Sequence, residues 1–503
     1  MFEEYTSISA AMRFPKVPPT SKMTAAFLHS TYHNGRSLAT AKGGPKLIVG
    51  HSRRDVATAA ERASTERSLT RSARGQRAVQ LLPTYLADAR SVEKYSPQYP
   101  NGALQLGVAE SQMLEDWLVP ALNIDLKVSP DCIYYQPTPG RQGFRTAMAS
   151  YMEDMLDLDK GRIDTEGLVV GAGCNAVLEN LCICLAEAGD AVLIPTPYYA
   201  AFEFDLVARA DLYVQAVTTR DHHPEVTSSD DPAIYYPSEA SLDAAFEKAL
   251  IAGHAPRILL ISHPQNPLGI CYPPEVMKIC INWCRSRRVH LISDEIYAGS
   301  IYRPELAGFS SALKLADTQR GLGPYVHWVY ALSKDFALSG LRVGAVYSEN
   351  LEIRTPMQKL NDLCQISSTT QLWTETILNR VDAKGNSWVH SFRKENHRRL
   401  EARIEALTSV LDEVSIPYLA PTAGLFVWIN MSQFLTEDSN LTDSERERKL
   451  YLSLVQEFGI LLTPGDSTRN EHPGYFRCVF TAASDEEFEL SLIRFRAFAN
   501  ARR

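Results

Sequence analysis

The sequence of 503 residues lacks two features that would have indicated particular partners. It has no run of about 18 apolar residues, so we expect no transmembrane helix and no membrane partner. It has no excess of basic residues, since the formal net charge is -8 at pH 7, whereas a nucleic-acid-binding surface favours positive charge. The composition, 45% hydrophobic and 22% charged, is typical of soluble globular proteins.

The nine cysteines do not have the arrangement of a disulfide framework or a zinc site. Their number is odd, the chain is long, and Cys174, Cys182 and Cys184 lie in an apolar stretch, which favours reduced, buried thiols. Cys280 and Cys284 are four residues apart, but no His or Cys pair follows at zinc spacing. We therefore expect no metal.

Residues 1–80 differ in composition from the rest of the chain. They contain thirteen Lys and Arg against five Asp and Glu, with no acid between Tyr5 and Arg54. Such a segment is typical of a disordered extension, and it also resembles an organellar transit segment. Because Glu3 and Glu4 argue against transit, we predict a basic, disordered extension on a cytoplasmic protein, with mitochondrial targeting as the alternative.

Short apolar runs alternate with helical patterns from about residue 81 onward. Such runs indicate strands of a largely parallel sheet that is buried on both faces, which is an α/β three-layer architecture. Helix-rich sequence follows from about residue 370, and the mixture of short strands and helices in 425–500 predicts a second, smaller α+β domain. The six runs are 168–170, 191–194, 257–262, 290–293, 326–330 and 343–347.

The segment with the clearest chemistry follows the fifth apolar run. Lys334 stands just after the run, and Arg342 follows eight residues later. A lysine amine can form an imine with the aldehyde of pyridoxal 5'-phosphate (PLP), and an arginine can hold its phosphate. Because a free lysine has a pKa near about 10.4, such a lysine must be activated by burial or nearby cations. Taken alone, the segment also fits a surface lysine beside a turn.

Two further segments place polar side chains at strand ends. Asp294 ends the fourth run, where a side chain faces the ligand crevice of an α/β sheet and can hold the pyridine nitrogen of PLP. Tyr297 and Asn266 can both bind the ring hydroxyl oxygen. The alternatives are a helix cap for Asp294 and a plain turn at Asn266.

A glycine-containing turn, 171–176, follows the first run and opens a helix, which predicts a phosphate site that includes Cys174 and Asn175. A dinucleotide fingerprint would need glycine at Ala176, so an NAD site is disfavoured. Tyr199, at the end of the second run, can stack on the pyridine ring or serve as a core aromatic.

Arg477 lies inside an apolar segment near the C-terminus. Buried arginine is uncommon unless it is paired, and its planar fork matches a carboxylate with two parallel hydrogen bonds. We therefore expect Arg477 to bind the carboxylate of a small-molecule amino acid substrate.

In this order, the motifs resemble the class I/II aminotransferase family of PLP enzymes, and more closely its branch of 1-aminocyclopropane-1-carboxylate (ACC) synthase-like proteins. The resemblance spans about Ser72 to Ala497 and implies PLP fold type I, with a three-layer α/β/α large domain and a smaller α+β domain, in a homodimer. The domains would be 81–135 and 370–503 for the small domain and 136–369 for the large one. The motifs are 99–102, 106–110, 195–199, 266–269, 293–297, 333–335, 340–344 and 474–477.

The resemblance also implies a role for each motif residue. Lys334 would form the imine and transfer protons, with Asp294 and Tyr297 as the other catalytic residues. The other cofactor contacts that we predict, from the sequence patterns above as well as from the resemblance, are those of Cys174, Asn175, Tyr199, Asn266, Ser333 and Arg342. The substrate contacts would be those of Arg477 and Ala109.

Two positions depart from the family pattern. Thr138 stands where the family usually has a tyrosine that reaches the neighbouring subunit's cofactor and is associated with ACC synthesis. Ala331 stands where the family has a serine that binds the phosphate. We therefore predict an aminotransferase, with a β-eliminating C–S lyase, ACC synthase and a non-catalytic PLP-fold protein as successive alternatives.

Overall fold

The computed structural model describes residues 72–81, 83–123, 127–226, 228, 230–316 and 321–502. Most of the predicted extension, residues 1–71, lies outside this range. Residues 73–80, which the sequence prediction included in the extension, form a helix. The helices are α1 Ala73–Gln80, α2 Tyr85–Ser91, α3 Glu115–Leu122, α4 Gln142–Met155, α5 Cys174–Leu185, α6 Phe202–Val207, α7 Glu239–Ile251, α8 Pro274–Arg287, α9 Pro304–Ala307, α10 Ala312–Ala316, α11 Leu332–Asp335, α12 Leu351–Leu360, α13 Ser368–Leu378, α14 Trp388–Glu413, α15 Asp443–Phe458 and α16 Asp485–Arg502. The strands are β1 Leu104–Gln105, β2 Leu168–Gly171, β3 Ala191–Pro195, β4 Tyr213–Val217, β5 Pro256–Ser262, β6 His290–Asp294, β7 Val326–Ala331, β8 Gly344–Ser348, β9 Tyr418–Leu419, β10 Phe426–Asn430, β11 Ile460–Leu461, β12 Thr463–Pro464 and β13 Tyr475–Val479.

Seven strands form the central sheet in the order β2-β8-β7-β6-β5-β3-β4. The pairs from β7 to β4 are parallel, whereas β8 runs antiparallel to both β7 and β2. All six predicted strands are confirmed. The seventh strand, β4, was not predicted because it lies at the sheet edge and four of its five residues are only partly buried, so it shows no continuous apolar run.

Successive side chains of the central strands pack into two different cores, one on each face of the sheet. Leu259 and Ile261 of β5 join the core that includes Met277 of α8. Ile258 and Leu260 join the other core, together with residues of α5. Since side chains alternate between the faces of a strand, the sheet is covered on both sides, and the predicted three-layer architecture is confirmed.

The antiparallel strand β8 brings several loops together at one end of the central strands. Gly344, its first residue, pairs with Ala331 at the end of β7 and with Gly171 at the end of β2. The segments before Gly344, after Ala331 and after Gly171 therefore meet at one place, which is also the end where β6 finishes at Asp294.

A second sheet, of order β12-β13-β10-β9, is antiparallel and lies in the C-terminal part of the chain. Arg477 is the middle residue of β13 and is paired with Trp428 and Thr463 on its two neighbours. β1 pairs in parallel with β11, so residues near 104 join the C-terminal part of the chain. The domain boundaries drawn from the sequence remain predictions.

The described residues contain neither a membrane span nor a metal cluster. No described helix is long and apolar enough to cross a membrane. Within the same residues, no group of three or more His, Cys, Asp or Glu side chains is arranged to hold a metal ion. The nine cysteines are all free thiols.

Candidate active site

One cavity of about 400 Å³ opens at the end of the central strands, where the segments that follow β2, β6 and β7 meet the segment that precedes β8. All eleven residues that the sequence predicted as site residues line this cavity, although they are spread along the chain from Ala109 to Arg477. They are Ala109, Cys174, Asn175, Tyr199, Asn266, Asp294, Tyr297, Ser333, Lys334, Arg342 and Arg477.

Lys334 lies on α11, a single helical turn that follows the fully buried strand β7. Its Nζ donates a hydrogen bond to the carbonyl oxygen of Ala109 at 2.6 Å. Burial and the nearby Arg477 guanidinium lower the pKa of the Lys334 amine to about 8. With this pKa, about a tenth of the amine is neutral, and hence nucleophilic, at pH 7, and about half is neutral at pH 8.

Asp294 ends β6 and is only 5% exposed. Its Oδ1 accepts a long hydrogen bond from the Ile296 amide at 3.4 Å and lies 3.7 Å from the Cys174 thiol. Because so little compensates for its burial, the pKa of the Asp294 carboxyl rises to about 7. No helix begins at Asp294, so the alternative of a helix cap is wrong, and a cationic ring nitrogen would stabilise the ionised form.

The first turn of α5 and Arg342 together form a site for an anion. Arg342 donates through Nη2 to Asn175 Oδ1 at 2.9 Å and through Nη1 to the Ser339 carbonyl at 3.0 Å. A Cβ on Gly173 would lie 2.2 Å from Arg342 Nη2, so this close approach requires glycine. The free amides at the start of α5 and the guanidinium together fit a phosphate group.

Arg477 is 3% exposed and has no described carboxylate as an ion-pair partner. Its Nη1 donates to Asn266 Oδ1 at 2.8 Å, and its Nη2 donates to the Gly107 carbonyl at 2.7 Å and to Thr463 Oγ1 at 3.1 Å. Its Nε is buried without a partner. A buried guanidinium with only neutral acceptors has the charge and the geometry to bind a carboxylate.

Two tyrosines complete the wall of the cavity. Tyr297 packs edge-on against Phe426 at 5.2 Å, and Tyr199 packs edge-on against Phe202 at 5.3 Å, measured between ring centroids. Burial raises the pKa of both hydroxyls. Both tyrosines are therefore protonated at neutral pH and can donate hydrogen bonds.

Comparison with known proteins identifies the family. The model of the family "Aminotransferase class I and II" matches residues 106–492. The chain belongs to this aminotransferase family. The predicted family is thereby confirmed.

The curated relatives of this aminotransferase-family chain include two plant ACC synthases. ACC synthase 11 of Arabidopsis thaliana is 32% identical, and the match covers 80% of this chain and 85% of the relative. ACC synthase 1 of Oryza sativa subsp. indica is 33% identical, over 80% of this chain and 82% of the relative. The predicted ACC synthase-like branch is thereby confirmed.

Solved structures of aminotransferases share its fold. The aspartate aminotransferase of Thermotoga maritima has a TM-score of 0.63 at 18% identity and covers 86% of this chain and 100% of that chain. The aromatic aminotransferase of Pyrococcus horikoshii OT3 has a TM-score of 0.64 at 19% identity, over 85% of this chain and 99% of that chain. These similarities confirm the predicted PLP fold type I.

Membership of the aminotransferase family makes PLP the cofactor of this chain, as predicted. The cavity fits this group. The close approach at Gly173 holds the Arg342 guanidinium beside the start of α5, which provides positive charge for a phosphate, and the buried Asp294 suits a ring nitrogen. The individual roles of the lining residues remain predictions.

The two departures from the family pattern have clear positions in this aminotransferase-family fold. Ala331 is fully buried where β7 joins α11, and it supplies no side-chain hydrogen bond to that turn. Thr138 does not line the cavity, and its carbonyl oxygen accepts a hydrogen bond from Asn361 Nδ2 at 2.5 Å. What Thr138 contributes to a neighbouring subunit remains a prediction.

Among the lining residues that were not found from the sequence, two carry titratable side chains, Tyr85 and Asp205. Tyr85 of α2 lies at the cavity and packs edge-on against Tyr451. Asp205 of α6 also lines it, and burial, together with Glu179 and Asp294, raises the pKa of its carboxyl to about 7. An acid inside the apolar pattern of α6 was an available signal for Asp205, whereas no local pattern marks Tyr85.

Proposed function

We propose that this PLP-dependent enzyme is an aminotransferase that acts on an α-amino acid. The observation that supports the proposal best is that the Lys334 amine and the Arg477 guanidinium face one cavity and interact electrostatically. An α-amino acid carries its carboxylate and amino group on the same carbon. A substrate carboxylate held by Arg477 would therefore present its α-carbon to Lys334.

The other side chains suit the same reaction. PLP, when bound, supplies the aldehyde that joins an amine and a ring that accepts electron density. Asp294 would hold the ring nitrogen in its charged form. The Oδ1 of Asn266 accepts a hydrogen bond from Arg477, and its Nδ2 amide would be able to donate one to the ring oxygen. Lys334 would remove the α-proton and return it to the cofactor carbon on the other side of the imine nitrogen, which is the step that leads to transamination.

ACC formation is the second candidate, because the curated relatives at 32–33% identity are ACC synthases. Thr138 argues against it. In the family, the tyrosine usual at this position reaches the neighbouring cofactor, and a threonine is too short to place an aromatic hydroxyl there. We therefore rank transamination first.

A single experiment separates the reactions. The purified protein with PLP is incubated with a panel of amino acids and a keto-acid acceptor, with a cysteine S-conjugate, and with S-adenosylmethionine. Keto acid, ammonia, thiol and ACC are then measured together, with Lys334→Ala as the control for non-enzymatic chemistry. We expect keto acid from at least one ordinary amino acid and no ACC. Ammonia and thiol without an acceptor would indicate the lyase, and efficient ACC formation would overturn the Thr138 argument.

We also infer that the enzyme acts as a homodimer. Ile133, Tyr134 and Tyr135 are 73%, 68% and 103% exposed and lie directly before the Thr138 segment. Exposed apolar side chains in a group indicate an interface, and a subunit contact at this segment is what the family resemblance implies. Sedimentation of the wild type and of Tyr135→Asp tests the inference, since the substitution should shift the protein towards monomer.

A further inference from the structure

Asp335, the residue after Lys334, is 1% exposed and is surrounded by hydrogen-bond donors. Its Oδ2 accepts from the Gly299 amide at 2.6 Å and from the Tyr330 hydroxyl at 2.8 Å. Its Oδ1 accepts from the Ser300 hydroxyl at 2.5 Å. Three donors therefore converge on one carboxylate that does not line the cavity.

These donors belong to the two segments that hold the proposed catalytic residues. Gly299 and Ser300 lie two and three residues after Tyr297, on the segment that leaves β6. Tyr330 precedes the short helix that holds Lys334. The carboxylate of Asp335 therefore ties the Lys334 turn to the Tyr297 turn.

The contact between the two turns is sterically tight. A Cβ on Gly299 would lie 2.6 Å from Asp335 Oδ2, so any side chain there would push the carboxylate away. Burial raises the pKa of Asp335 to about 6, and the hydrogen bonds from Ser300, Tyr330 and Gly299 oppose this rise. Buried carboxylates are costly unless their oxygens are hydrogen-bonded, so the arrangement depends on all three donors.

A second layer of contacts holds the backbone of both turns. Asn396 Nδ2 of α14 donates to the Asp335 carbonyl at 3.3 Å. His397 Nε2, on the same helix, lies at hydrogen-bonding distance, 2.8 Å, from the Gly299 carbonyl. On the other side, the Tyr330 hydroxyl is 2.9 Å from that of Tyr151 in α4. The two turns are therefore fixed to each other and to two long helices.

We propose that Asp335 is a positioning residue that fixes the Lys334 amine relative to Tyr297 through its hydrogen bonds to Gly299, Ser300 and Tyr330. The proposal rests on the proposed function, in which Lys334 forms the link to PLP. A single-turn helix has few internal hydrogen bonds with which to hold a flexible lysine side chain in one direction. Asp335 supplies that restraint without touching substrate or cofactor.

The test compares the wild-type holoenzyme with Asp335→Asn. The asparagine side chain is uncharged and has one acceptor oxygen, so Ser300 would have to accept where it now donates, and the charge that strengthens all three hydrogen bonds is lost. The Lys334 turn should therefore be held less firmly. Displacement of a reacting group by about 1 Å can cost about 100-fold in rate. We therefore expect kcat, and the rate at which apoprotein forms its covalent link with added PLP, to fall about 10-fold or more, with little change in KM.

Graded and control variants separate positioning from folding. Ser300→Ala and Tyr330→Phe each remove one donor and should give smaller losses in the same two rates. Glu153→Gln is the matched control, because Glu153 is a buried carboxylate, 7% exposed, that accepts the Ile163 amide at 2.8 Å and does not line the cavity. It should lower the melting temperature and leave both rates unchanged.

The outcomes are distinguishable. If Asp335→Asn lowers only the melting temperature, as Glu153→Gln should, the positioning role is wrong. If Asp335→Asn does not fold, Ser300→Ala and Tyr330→Phe decide, and unchanged link formation in both overturns the proposal. If borohydride reduction of the wild type fixes PLP to a lysine other than Lys334, the proposed function fails first.

Discussion

Arg477 and Asn266 are hydrogen-bonded to each other at 2.8 Å, although they are 211 positions apart in the sequence. Arg477 belongs to the antiparallel sheet, and Asn266 follows β5 of the central sheet. In the proposed function, one of these residues binds the substrate carboxylate and the other the cofactor ring oxygen. The groups proposed to recognise substrate and cofactor are therefore in direct contact.

Replacing Arg477 with alanine should impair substrate use far more than cofactor binding. Loss of a buried carboxylate contact should cost roughly 2–5 kcal/mol of transition-state binding. Activity on amino acids and the dissociation constant for PLP are measured in parallel. Equal wild-type activity on amino acids and on simple amines would count against a carboxylate-binding role.

Replacing Lys334 with alanine should abolish the covalent link to PLP. The wild-type protein should be yellow, and borohydride should remove the imine absorbance and fix PLP to the peptide that contains Lys334. Lys334→Ala should lose nearly all turnover, because both the covalent anchor and the proton-transferring amine are gone. Mass spectrometry of the reduced, digested protein identifies the modified lysine.

The Lys334 amine should react at unusually low pH in the apoprotein. Its pKa is lowered to about 8 by burial and by the Arg477 cation, so the neutral, reactive form should predominate above that pH. Acylation of Lys334 should therefore rise through a midpoint near pH 8, and Arg477→Ala should move the midpoint upward because a repelling cation is removed. An exposed lysine in the same sample, with a midpoint near about 10.4, is the internal reference.

The affinity of the apoprotein for PLP should fall as the pH decreases through about 7. Asp294 has its pKa raised to about 7 by burial, so below that pH it becomes protonated and no longer attracts a charged ring nitrogen. Asp294→Asn should weaken this pH dependence and reduce turnover. Asp205→Asn is the control, since Asp205 has a similar pKa of about 7 in the same cavity. If Asp205→Asn alone removes the pH dependence, the assignment to Asp294 is wrong.

Replacing Gly173 with alanine should impair phosphate recognition specifically. The new Cβ would collide with Arg342 Nη2, and the residue also has a φ of +96°. Binding of PLP should weaken about 10-fold or more, whereas pyridoxal, which has no phosphate, should lose little, because a charge-assisted contact contributes about 1.5–3 kcal/mol.

Gly161→Ala is the matched control for Gly173→Ala. Gly161 has a φ of +79°, but no atom lies within 4 Å of the position that a Cβ would take, so it isolates the cost of backbone strain from that of the collision. It should lower stability by about 1–2 kcal/mol and leave the ratio of PLP to pyridoxal affinity unchanged. The same loss of PLP selectivity in both variants would show that the collision with Arg342 is irrelevant.

The sequence was informative wherever a local pattern carried the function. Lys334, Asp294 and Asn266 each follow a continuous apolar run, so the strand and the residue at its end could be predicted together. Tyr85 could not, because it is held at the cavity by packing against Tyr451, a residue 366 positions away in the chain. The three hydrogen bonds to Asp335 likewise depend on how two turns pack against each other, and no local sequence pattern indicates that packing.

The antiparallel direction of β8 has a consequence for the spacing of the residues that would bind the two ends of the cofactor. Because β8 starts beside the residue at which β7 ends, only seven residues separate the proposed covalent anchor, Lys334, from the proposed phosphate anchor, Arg342. Both residues lie on one short segment, so the length of that segment sets the distance between the group that would bind the aldehyde and the group that would bind the phosphate. Inserting or deleting a residue within 336–340 should change that distance, even though these positions are not proposed to contact the cofactor.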